Sequence, residues 1–426
     1  MSDLAMPHAN QNFIKLYTLL ILIGATPPII VALSPIKTFS AGCILIACIG
    51  LALSLRQSKH LSTIKNRTLI SLSLALTYFF AQHIFVGEWQ AKSYFSALAL
   101  IGMFGSAYLL AREFHQIDSK IVLEAFTWSY YSFAFIGIFN ISTFYILGKT
   151  LGYTHAKPFF PFLEPSHFAL YFGPLSFIYV ATQTTTIKQI YAISLLFGMG
   201  VITPNTTLLT YASLSVLLLI FSLRPKALFL TLPIFLATVI YGSSFVLSNE
   251  YFSSRLDLSA DNQSATTLVY LQGVQDAVNS LSSTNGLGLG FQMLGTQPPS
   301  EYAYSIAKVM ADVNGELNRQ DGGFLAAKLI AELGVLGIVL LILFMISSTK
   351  SLLRVRHIKF KSMNSQNTKE LIFNCIIITF CIEMFIRGYG YFSSGFFLFL
   401  IAVFYLAHSK SNTKTIARRL NSFAYN

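Results

Sequence analysis

Charge is scarce in this chain. Only 11% of its 426 residues are Asp, Glu, Lys or Arg, whereas 54% are hydrophobic and the mean hydropathy is +0.61. Soluble domains carry about 25% charged residues, so this composition excludes an ordinary soluble globular protein. The few charges are bunched between apolar runs long enough to cross a bilayer, and the short alternating segments of a transmembrane β-barrel are missing. The sequence therefore predicts an all-α, polytopic transmembrane protein.

The sequence also lacks several motifs, and each absence argues against a particular function or structural feature. No Asp-x-Asp motif or adjacent acid pair lies in the predicted outer segments, so metal-dependent sugar transfer has no support and we expect no metal or cofactor. No internal repeat is visible, which argues against a transporter built from inverted halves. The stretch from Met1 to Asn12 lacks a basic region and a cleavage site, so we expect the first span to stay attached. The four cysteines all fall within predicted spans, at no metal-ligand spacing and with no partner for an external disulfide: Cys43, Cys48, Cys375 and Cys381.

Apolar runs predict about 12 spans. The seventh and eighth are short and flank Thr203-Pro204-Asn205, so they could also form a re-entrant hairpin. The predicted spans are Phe13–Leu33, Phe39–Leu55, Thr68–Val86, Tyr94–Ala111, Ile121–Leu147, Pro165–Thr182, Ile187–Ile202, Leu208–Leu223, Ala227–Leu247, Phe324–Ile346, Leu371–Ile386 and Tyr391–Ala407.

The basic residues give these spans an orientation. With the N-terminus inside, nineteen Lys and Arg residues fall in inner segments and eight in outer segments, while Lys15 and Lys328 lie within spans. Cytoplasmic loops of membrane proteins carry such an excess of basic residues. We therefore expect both termini to be cytoplasmic. Most of the net charge of +12 reads as a topology signal, not as a nucleic-acid-binding surface.

One outer segment is much longer than the others. It runs from Ser248 to Gly323 and divides the chain into an N-terminal bundle (1–247), a large periplasmic loop (248–323) and C-terminal spans with a cytoplasmic tail (324–426). Loops of this length without a function are uncommon. Apolar residues recur at spacings of three and four in two stretches of the loop, which predicts two amphipathic helices on the membrane surface. These residues are Leu268, Leu271, Val274, Val278 and Leu281, and then Ile306, Met310, Val313 and Leu317.

A glycine run lies between these two stretches, in the sequence TNGLGLG. Gly286, Gly288 and Gly290 could present backbone N–H groups to a phosphate, or they could form a plain flexible turn. The run does not follow a strand and is not cytoplasmic, so it does not match a nucleotide-binding fingerprint.

Three arginines flank the loop or end a span at the predicted outer face. Arg255 begins the loop, Arg319 ends it, and Arg387 follows the eleventh span. A guanidinium is permanently charged, and its planar fork matches phosphate oxygens. The sequence predicts that the three converge into an anion site, although snorkelling to lipid headgroups would explain any one of them alone.

Opposite charges four residues apart predict two ion pairs within spans, because such residues share one face of a helix. These are Glu383 with Arg387, and Lys328 with Glu332. Charged residues inside a bilayer usually pair with one another or line a polar interior. We interpret Lys328–Glu332 as a structural pair and Arg387 as functional.

The sequence EPSHFALY opens the sixth span. Glu164 precedes Pro165, a residue favoured in the first turn of a helix, so its carboxylate could simply cap that helix. Alternatively, Glu164 and His167 face the outer cavity and handle a sugar hydroxyl.

Taken together, these segments resemble the bacterial O-antigen polymerase (Wzy) family, which is related to the O-antigen ligases. The resemblance lies in EPSHFALY, in SSRL at the start of the large loop, in GLGLG within it, in DGGFLAAKLIAELGVLG and in RGYGYFSSG. Ligases tend to carry a histidine before the span that follows the loop. Asp321 lies near that position here, which favours a polymerase over a ligase.

The resemblance implies a metal-independent, GT-C-like and inverting glycosyltransferase of the bacterial inner membrane. It would transfer a growing glycan from undecaprenyl pyrophosphate to a new lipid-linked repeat unit at the periplasmic face, with membrane lipids and a chain-length regulator as further partners. Arg255, Arg319 and Arg387 would stabilise the leaving pyrophosphate, and Glu164, or failing that Asp321, would be the base. The expected substrate-binding residues are Ser166, His167, Lys308 and Tyr389. A ligase that transfers glycan to lipid A–core and a lipid-linked oligosaccharide flippase are the alternatives.

Overall fold

The computed structural model describes residues 6–33, 39–57, 66–86, 90–148, 160–162, 164–222, 248, 250–257, 264–310, 319–360 and 365–423. In these ranges the chain is helical and has no strand, so the predicted all-α class is confirmed. The α-helices are α1 (Met6–Leu33), α2 (Phe39–Gln57), α3 (Asn66–Val86), α4 (Ala91–Gln116), α5 (Ser119–Thr143), α6 (Pro165–Thr182), α7 (Thr186–Ile202), α8 (Thr206–Phe221), α9 (Glu250–Leu256), α10 (Ala265–Ser283), α11 (Glu301–Met310), α12 (Leu325–Leu333), α13 (Val335–Phe360), α14 (Ser365–Phe385) and α15 (Ser394–Phe423).

Four of the described helical stretches are long and apolar enough to cross a membrane: Asn10–Leu33, Ala91–Gln116, Ser119–Ile146 and Val335–Phe360. The end of the stretch Ser119–Ile146 lies in a π-helical segment, Phe144–Gly148, that continues α5. Four shorter apolar helical stretches are also described, Ser40–Ala52, Thr186–Ile202, Thr206–Phe221 and Ser394–Ser409, and the total of about 12 spans stays a prediction. The ninth, Ala227–Leu247, lies outside the described ranges.

Helix α6 lies at the centre of the bundle. It contains no charged residue, and every residue from Phe168 to Thr182 is buried, as expected of a helix that is apolar on all sides. It packs against α5, α7, α8 and α14. Gly173 allows α8 to approach, because a Cβ atom there would lie 2.1 Å from the ring of Tyr211. The N-terminal end of this central helix carries the EPSH sequence.

The predicted tenth span is broken, which corrects the sequence interpretation. Helix α12 ends at Leu333, and Gly334 adopts a φ of +58° before α13 begins. A side chain at Gly334 would also meet the carbonyl oxygen of Gly286, at 2.0 Å from the Cβ position. The apolar segment that is long enough to cross a membrane therefore starts at Val335, and Lys328 and Glu332 lie on the separate helix α12.

The glycine run closes the end of α12. The N–H groups of Leu289 and Gly290 donate to the carbonyl oxygens of Ala331 (2.9 Å) and Glu332 (3.0 Å), and Val335 donates to the oxygen of Gly286 at 2.8 Å. Helix C-termini leave such carbonyls unsatisfied, and here the loop supplies their donors. The run is therefore neither a phosphate contact through these groups nor a plain flexible turn.

Helix α10 forms where the first amphipathic helix of the large loop is predicted, and its location on the membrane surface stays a prediction. Its apolar stripe leaves Val274 and Val278 exposed, at 42% and 58%. The buried face instead contains Gln272 and Gly273, and a Cβ atom at Gly273 would lie 2.2 Å from the carbonyl oxygen of Gly322. The middle of the apolar stripe is thus exposed, whereas Leu268 is buried, and small and polar residues allow α10 to pack closely against the start of α12.

Candidate functional site

A cleft of about 430 Å³ opens where four separate parts of the chain meet, and we call it the outer cleft. All of its lining residues lie at helix ends or loop positions that the basic-residue pattern assigns to the outer face. They are Glu164, Pro165, Ser166, Pro204, Asn205, Thr206, Thr207, Thr210, Arg255, Thr266, Thr267, Val269, Tyr270, Gly323, Phe385, Ile386 and Arg387.

Glu164 is the N-cap residue of α6, but its side chain makes no capping hydrogen bond. Its carboxylate instead accepts a hydrogen bond from Ser166 Oγ at 3.0 Å and lies 3.5 Å from Arg387 Nη2 and 3.9 Å from His167 Nε2. The side chain is 53% exposed, so it is open to the cleft. The cap interpretation therefore holds for the backbone position and is wrong for the carboxylate.

Arg387 reaches Glu164 because α14 ends before it. The last helical residue is Phe385, and the N–H of Arg387 donates to Ile382 O at 3.0 Å. The predicted pair between Glu383 and Arg387 is wrong, because the spacing of four residues brings side chains together only on a continuing helix. The chain after α14 is held against the end of the large loop, where the N–H of Gly388 donates to Gly323 O at 3.1 Å.

Arg255 also lines the outer cleft, and it lies near the N-terminal end of the large loop. It lies in the last turn of α9, which is tied to α10 by a hydrogen bond from Thr267 Oγ1 to Arg255 O at 3.2 Å. Its side chain is half-buried. The structure therefore brings two of the three predicted arginines, Arg255 and Arg387, to one cleft together with Glu164 and Ser166.

Arg319 does not line this cleft. It is buried at 8% exposure and donates a hydrogen bond to Gln297 O. It also lies close enough to Asp276 to influence its titration: burial raises the pKa of Asp276 to about 6, although Arg319 and Ser300 both act to lower it. The predicted convergence of three guanidiniums is wrong for Arg319, whose environment is the interior of the large loop.

Two further predicted residues also lie away from the outer cleft. Asp321 and Lys308 are both exposed and neither lines it. Asp321 is thus poorly placed to act as a base beside Glu164, and Lys308, in the last turn of α11, is poorly placed to bind the same substrate.

His167 and Tyr389 lie behind the cleft. Their rings meet edge to face with centroids 4.5 Å apart, and this contact links α6 to the segment after α14. His167 therefore has Glu164 on one side and Tyr389 on another, which gives it the position of a group that supports the carboxylate and not that of an exposed ligand.

The pair Lys328–Glu332 has a structural environment. The two charges lie 3.7 Å apart, and Lys328 Nζ also donates to Gln320 O at 2.5 Å. Glu332 is fully buried, and its Oε1 accepts the N–H of Leu294 at 3.3 Å. These contacts join α12 to the loop on both sides, which agrees with the structural interpretation.

Asn205 is one of the cleft residues that the sequence interpretation missed. Its Oδ1 caps α8 by accepting the N–H groups of Thr207 (3.0 Å) and Leu208 (3.2 Å). This fixes the orientation of the amide, and the Nδ2 donor makes no hydrogen bond within the described part of the chain. The sequence TPNTT carried a usable signal, since Asn is a preferred N-cap residue.

The outer cleft therefore combines features that attract an anion with a group that can accept a proton. Two guanidiniums and the N-terminal ends of α6 and α8 supply positive charge. Glu164 supplies the carboxylate. Among the described residues, no group of three or more His, Cys, Asp or Glu side chains could hold a metal ion.

The comparisons with known proteins give no relative from which to assign this site: no family model, no curated protein and no solved structure matches the chain.

Proposed function

We propose that this chain is a membrane glycosyltransferase that polymerises lipid-linked oligosaccharide repeat units at the outer face of the bacterial inner membrane. The proposal combines the O-antigen polymerase resemblance with the chemistry of the outer cleft. The observation that carries it is that Arg255 and Arg387, which are far apart in sequence, line one cleft with Glu164.

The positive charges suit a pyrophosphate leaving group. In the reaction, a hydroxyl oxygen of the acceptor sugar forms a bond to the anomeric carbon of the donor, and the bond from that carbon to the pyrophosphate oxygen breaks with its electron pair. Negative charge then develops on the pyrophosphate, where Arg255 and Arg387 stabilise it. One preorganised donor of this kind contributes about 10²–10³ to kcat.

Glu164 is the group that takes the proton of the attacking hydroxyl. In the structure its carboxylate lies 3.5 Å from Arg387 Nη2. A bound pyrophosphate competes with Glu164 for this guanidinium, so binding of the donor releases the carboxylate for proton transfer. This couples the arrival of the leaving group to activation of the base.

The apolar part of the cleft suits a lipid-linked substrate. Val269, Tyr270, Phe385 and Ile386 lie beside the two guanidiniums. An amphiphile with a charged head and an apolar chain matches this juxtaposition, because its pyrophosphate and its first isoprene units are presented together at membrane depth.

Polymerisation in vitro tests the proposal. Detergent-solubilised, purified protein is incubated with purified lipid-linked repeat units, and the products are separated by size. We expect a ladder from the unaltered chain and its loss in Arg387→Ala and Arg255→Ala. Lys92→Ala is the matched control, because Lys92 is another cation near the outer face that does not line the cleft and bonds Gln320 Oε1 at 2.6 Å.

The phenotype of a deletion strain separates this function from its rivals. Loss of a polymerase leaves lipopolysaccharide that carries one repeat unit, whereas loss of a ligase or of a flippase leaves no repeat unit attached. A deletion strain without any attached repeat unit would contradict the polymerase assignment.

A further inference from the structure

A small, largely apolar chamber lies behind the outer cleft, and its polar groups are unusual for a membrane bundle. Its volume is about 20 Å³. A cavity needs about 10–15 Å³ to hold a water molecule, together with two to four polar partners. Polar side chains of Glu383, His167, Tyr389, Ser393 and Ser394 line this chamber. It therefore has room for one water molecule and groups to bind it.

Glu383 is a buried carboxylate whose surroundings are built to hold it. It is 3% exposed, and its Oε2 accepts a hydrogen bond from Ser393 Oγ at 2.6 Å. Gly395 makes room for it, because a Cβ atom there would lie 1.6 Å from Glu383 Oε1. Of the lysines and arginines in the described ranges, none forms an ion pair with Glu383. A buried ionisable residue within a membrane bundle, without a cation to balance it, indicates a functional site.

His167 connects this chamber to the outer cleft. Its Nε2 lies 3.9 Å from Glu164 Oε2, and the same side chain lines the chamber. The two nitrogens of an imidazole lie on different edges of the ring, and a neutral ring can accept a proton at one while it releases a proton from the other. The order of groups from the cleft inward is thus Glu164, His167, chamber and Glu383.

We propose that Glu383 is a proton store for the outer cleft, reached through His167 and one water molecule in the chamber. A proton taken up by Glu164 passes to Nε2 of His167. The Nδ1–H proton of His167 passes to the water, and the water gives one of its protons to the Glu383 carboxylate. Each step breaks one O–H or N–H bond and forms another, so no further reactant is needed. The reverse sequence returns the proton to the cleft and from there to solvent.

Other titratable groups face Glu383 and belong to the same environment: Cys43 of α2, His167 and Tyr171 of α6, Tyr211 of α8, and Tyr389 between α14 and α15. Helix α1 contributes only Gly24, Pro27 and Pro28 to the chamber. His167 also lies 3.9 Å from Glu164, a group of the outer cleft.

Infrared spectroscopy tests the path without depending on enzymatic activity. Difference spectra of the purified full chain are recorded across a pH titration, and Glu383→Gln identifies the carboxylic acid band of Glu383. We expect this band to titrate and its midpoint to move in Glu164→Gln, because the two carboxylates are linked through His167. Glu370→Gln is the matched control, since Glu370 pairs with Arg354 at 2.7 Å in a part of the chain away from the chamber, and it should leave the midpoint unchanged. The proposal would be overturned if the Glu383 band did not change with pH, or if its midpoint were unchanged in Glu164→Gln.

Enzyme kinetics give a second test, which rests on the proposed function. Gln has the size of Glu, so Glu383→Gln should fit beside Gly395, and we expect kcat to fall at least tenfold with KM unchanged; positioned acid–base groups contribute about 10²–10⁴. If Glu383→Gln does not fold, Ser393→Ala removes only the hydroxyl bound to the carboxylate and should shift the infrared midpoint. Unaltered kcat and pH profile in Glu383→Gln would contradict the path, whereas an inactive unaltered chain with a titrating band would contradict only the polymerase function.

Discussion

The guanidinium of Arg387 lies 3.5 Å from the carboxylate of Glu164, although the two residues are separated by most of the C-terminal half of the chain. The contact joins the start of the central helix α6 to the segment that follows α14. It is possible because both helices place these ends at the same cleft, and because Gly388 anchors the segment to Gly323. The proposed base and one of the proposed anion-binding groups are therefore neighbours, and the first prediction concerns the charge of Arg387.

Two substitutions of Arg387 should separate the effect of its positive charge from the effect of its planar guanidinium. We expect Arg387→Ala to lower polymerisation by about 10²–10³, the effect of removing one preorganised donor. Arg387→Lys keeps the charge but loses the planar fork, so it should recover only part of this activity. Initial rates of purified variants in the same detergent measure the effect, and equal rates for Arg387→Lys and the unaltered chain would show that the fork is unimportant.

Glu164→Gln should abolish proton transfer without weakening the fold. A side chain that caps a helix contributes about 0.5–2 kcal/mol, but the Glu164 carboxylate makes no capping hydrogen bond. Its replacement should therefore leave the melting temperature nearly unchanged while activity is lost. Thermal unfolding and polymerisation are measured on the same preparation. A lower melting temperature with a proportionate loss of activity would indicate that Glu164 has a structural role and is not the base.

Asn205→Asp should weaken anion binding and leave α8 intact. Asp is as good an N-cap as Asn, so the bonds from Thr207 and Leu208 are kept, but the Nδ2 donor is lost and a negative charge enters the cleft. Hydrogen bonds to charged groups contribute about 1.5–3 kcal/mol, so we expect a short isoprenyl pyrophosphate to bind tenfold more weakly or worse. Asn205→Ser is the control that removes the Nδ2 donor of the amide without adding a negative charge. If both variants bound the isoprenyl pyrophosphate with unchanged affinity, the anion would bind away from Asn205.

Gly334→Ala should destabilise the junction between α12 and α13. The backbone there has a φ of +58°, and a Cβ atom would meet Gly286 O at 2.0 Å. Strained positions of this kind cost about 1–3 kcal/mol before any clash is counted. Gly102→Ala is the matched control in α4, where a Cβ atom would meet nothing within 4 Å. The melting temperatures of the two variants in detergent should differ clearly, with only Gly334→Ala below the unaltered chain.

Asp276 should make the large loop less stable as pH rises. Burial raises its pKa to about 6, above the ordinary value of 3.8, so the folded chain holds a proton that the unfolded chain releases between these values. Its stabilising contribution is therefore complete below about pH 4 and is lost as pH rises through about 6. The melting temperature, followed from acid to neutral pH, should fall less in Asp276→Asn. An identical pH dependence in both proteins would contradict the assignment.

Much of the helical architecture could be predicted from the sequence. The predicted starts or ends of many spans agree with helix bounds, and Pro165–Thr182 agrees at both ends. The reason is local: apolar length and the residues at helix ends act over a few positions along the chain. Arg255, Arg387 and Glu164 were also predictable as residues near the ends of apolar segments, because each follows or precedes an apolar run.

Partners in space could not be predicted in the same way. The pairing of Glu383 with Arg387 assumed that α14 continues, and the phosphate interpretation of GLGLG assumed that its N–H groups are available. The structure ends α14 at Phe385 and uses the N–H groups of Leu289 and Gly290 to close α12. Both outcomes depend on segments that are distant in sequence.

By itself, the sequence determined where apolar helices form and which charged residues lie at their ends, since these depend on composition and local spacing. Only the tertiary structure decided that Arg255 and Arg387 share a cleft while Arg319 lies within the loop, and that Glu383 is enclosed beside Gly395. The physical reason is that side-chain partners are chosen by close packing of distant segments, where a single helix end or the missing side chain of a glycine changes which groups can meet.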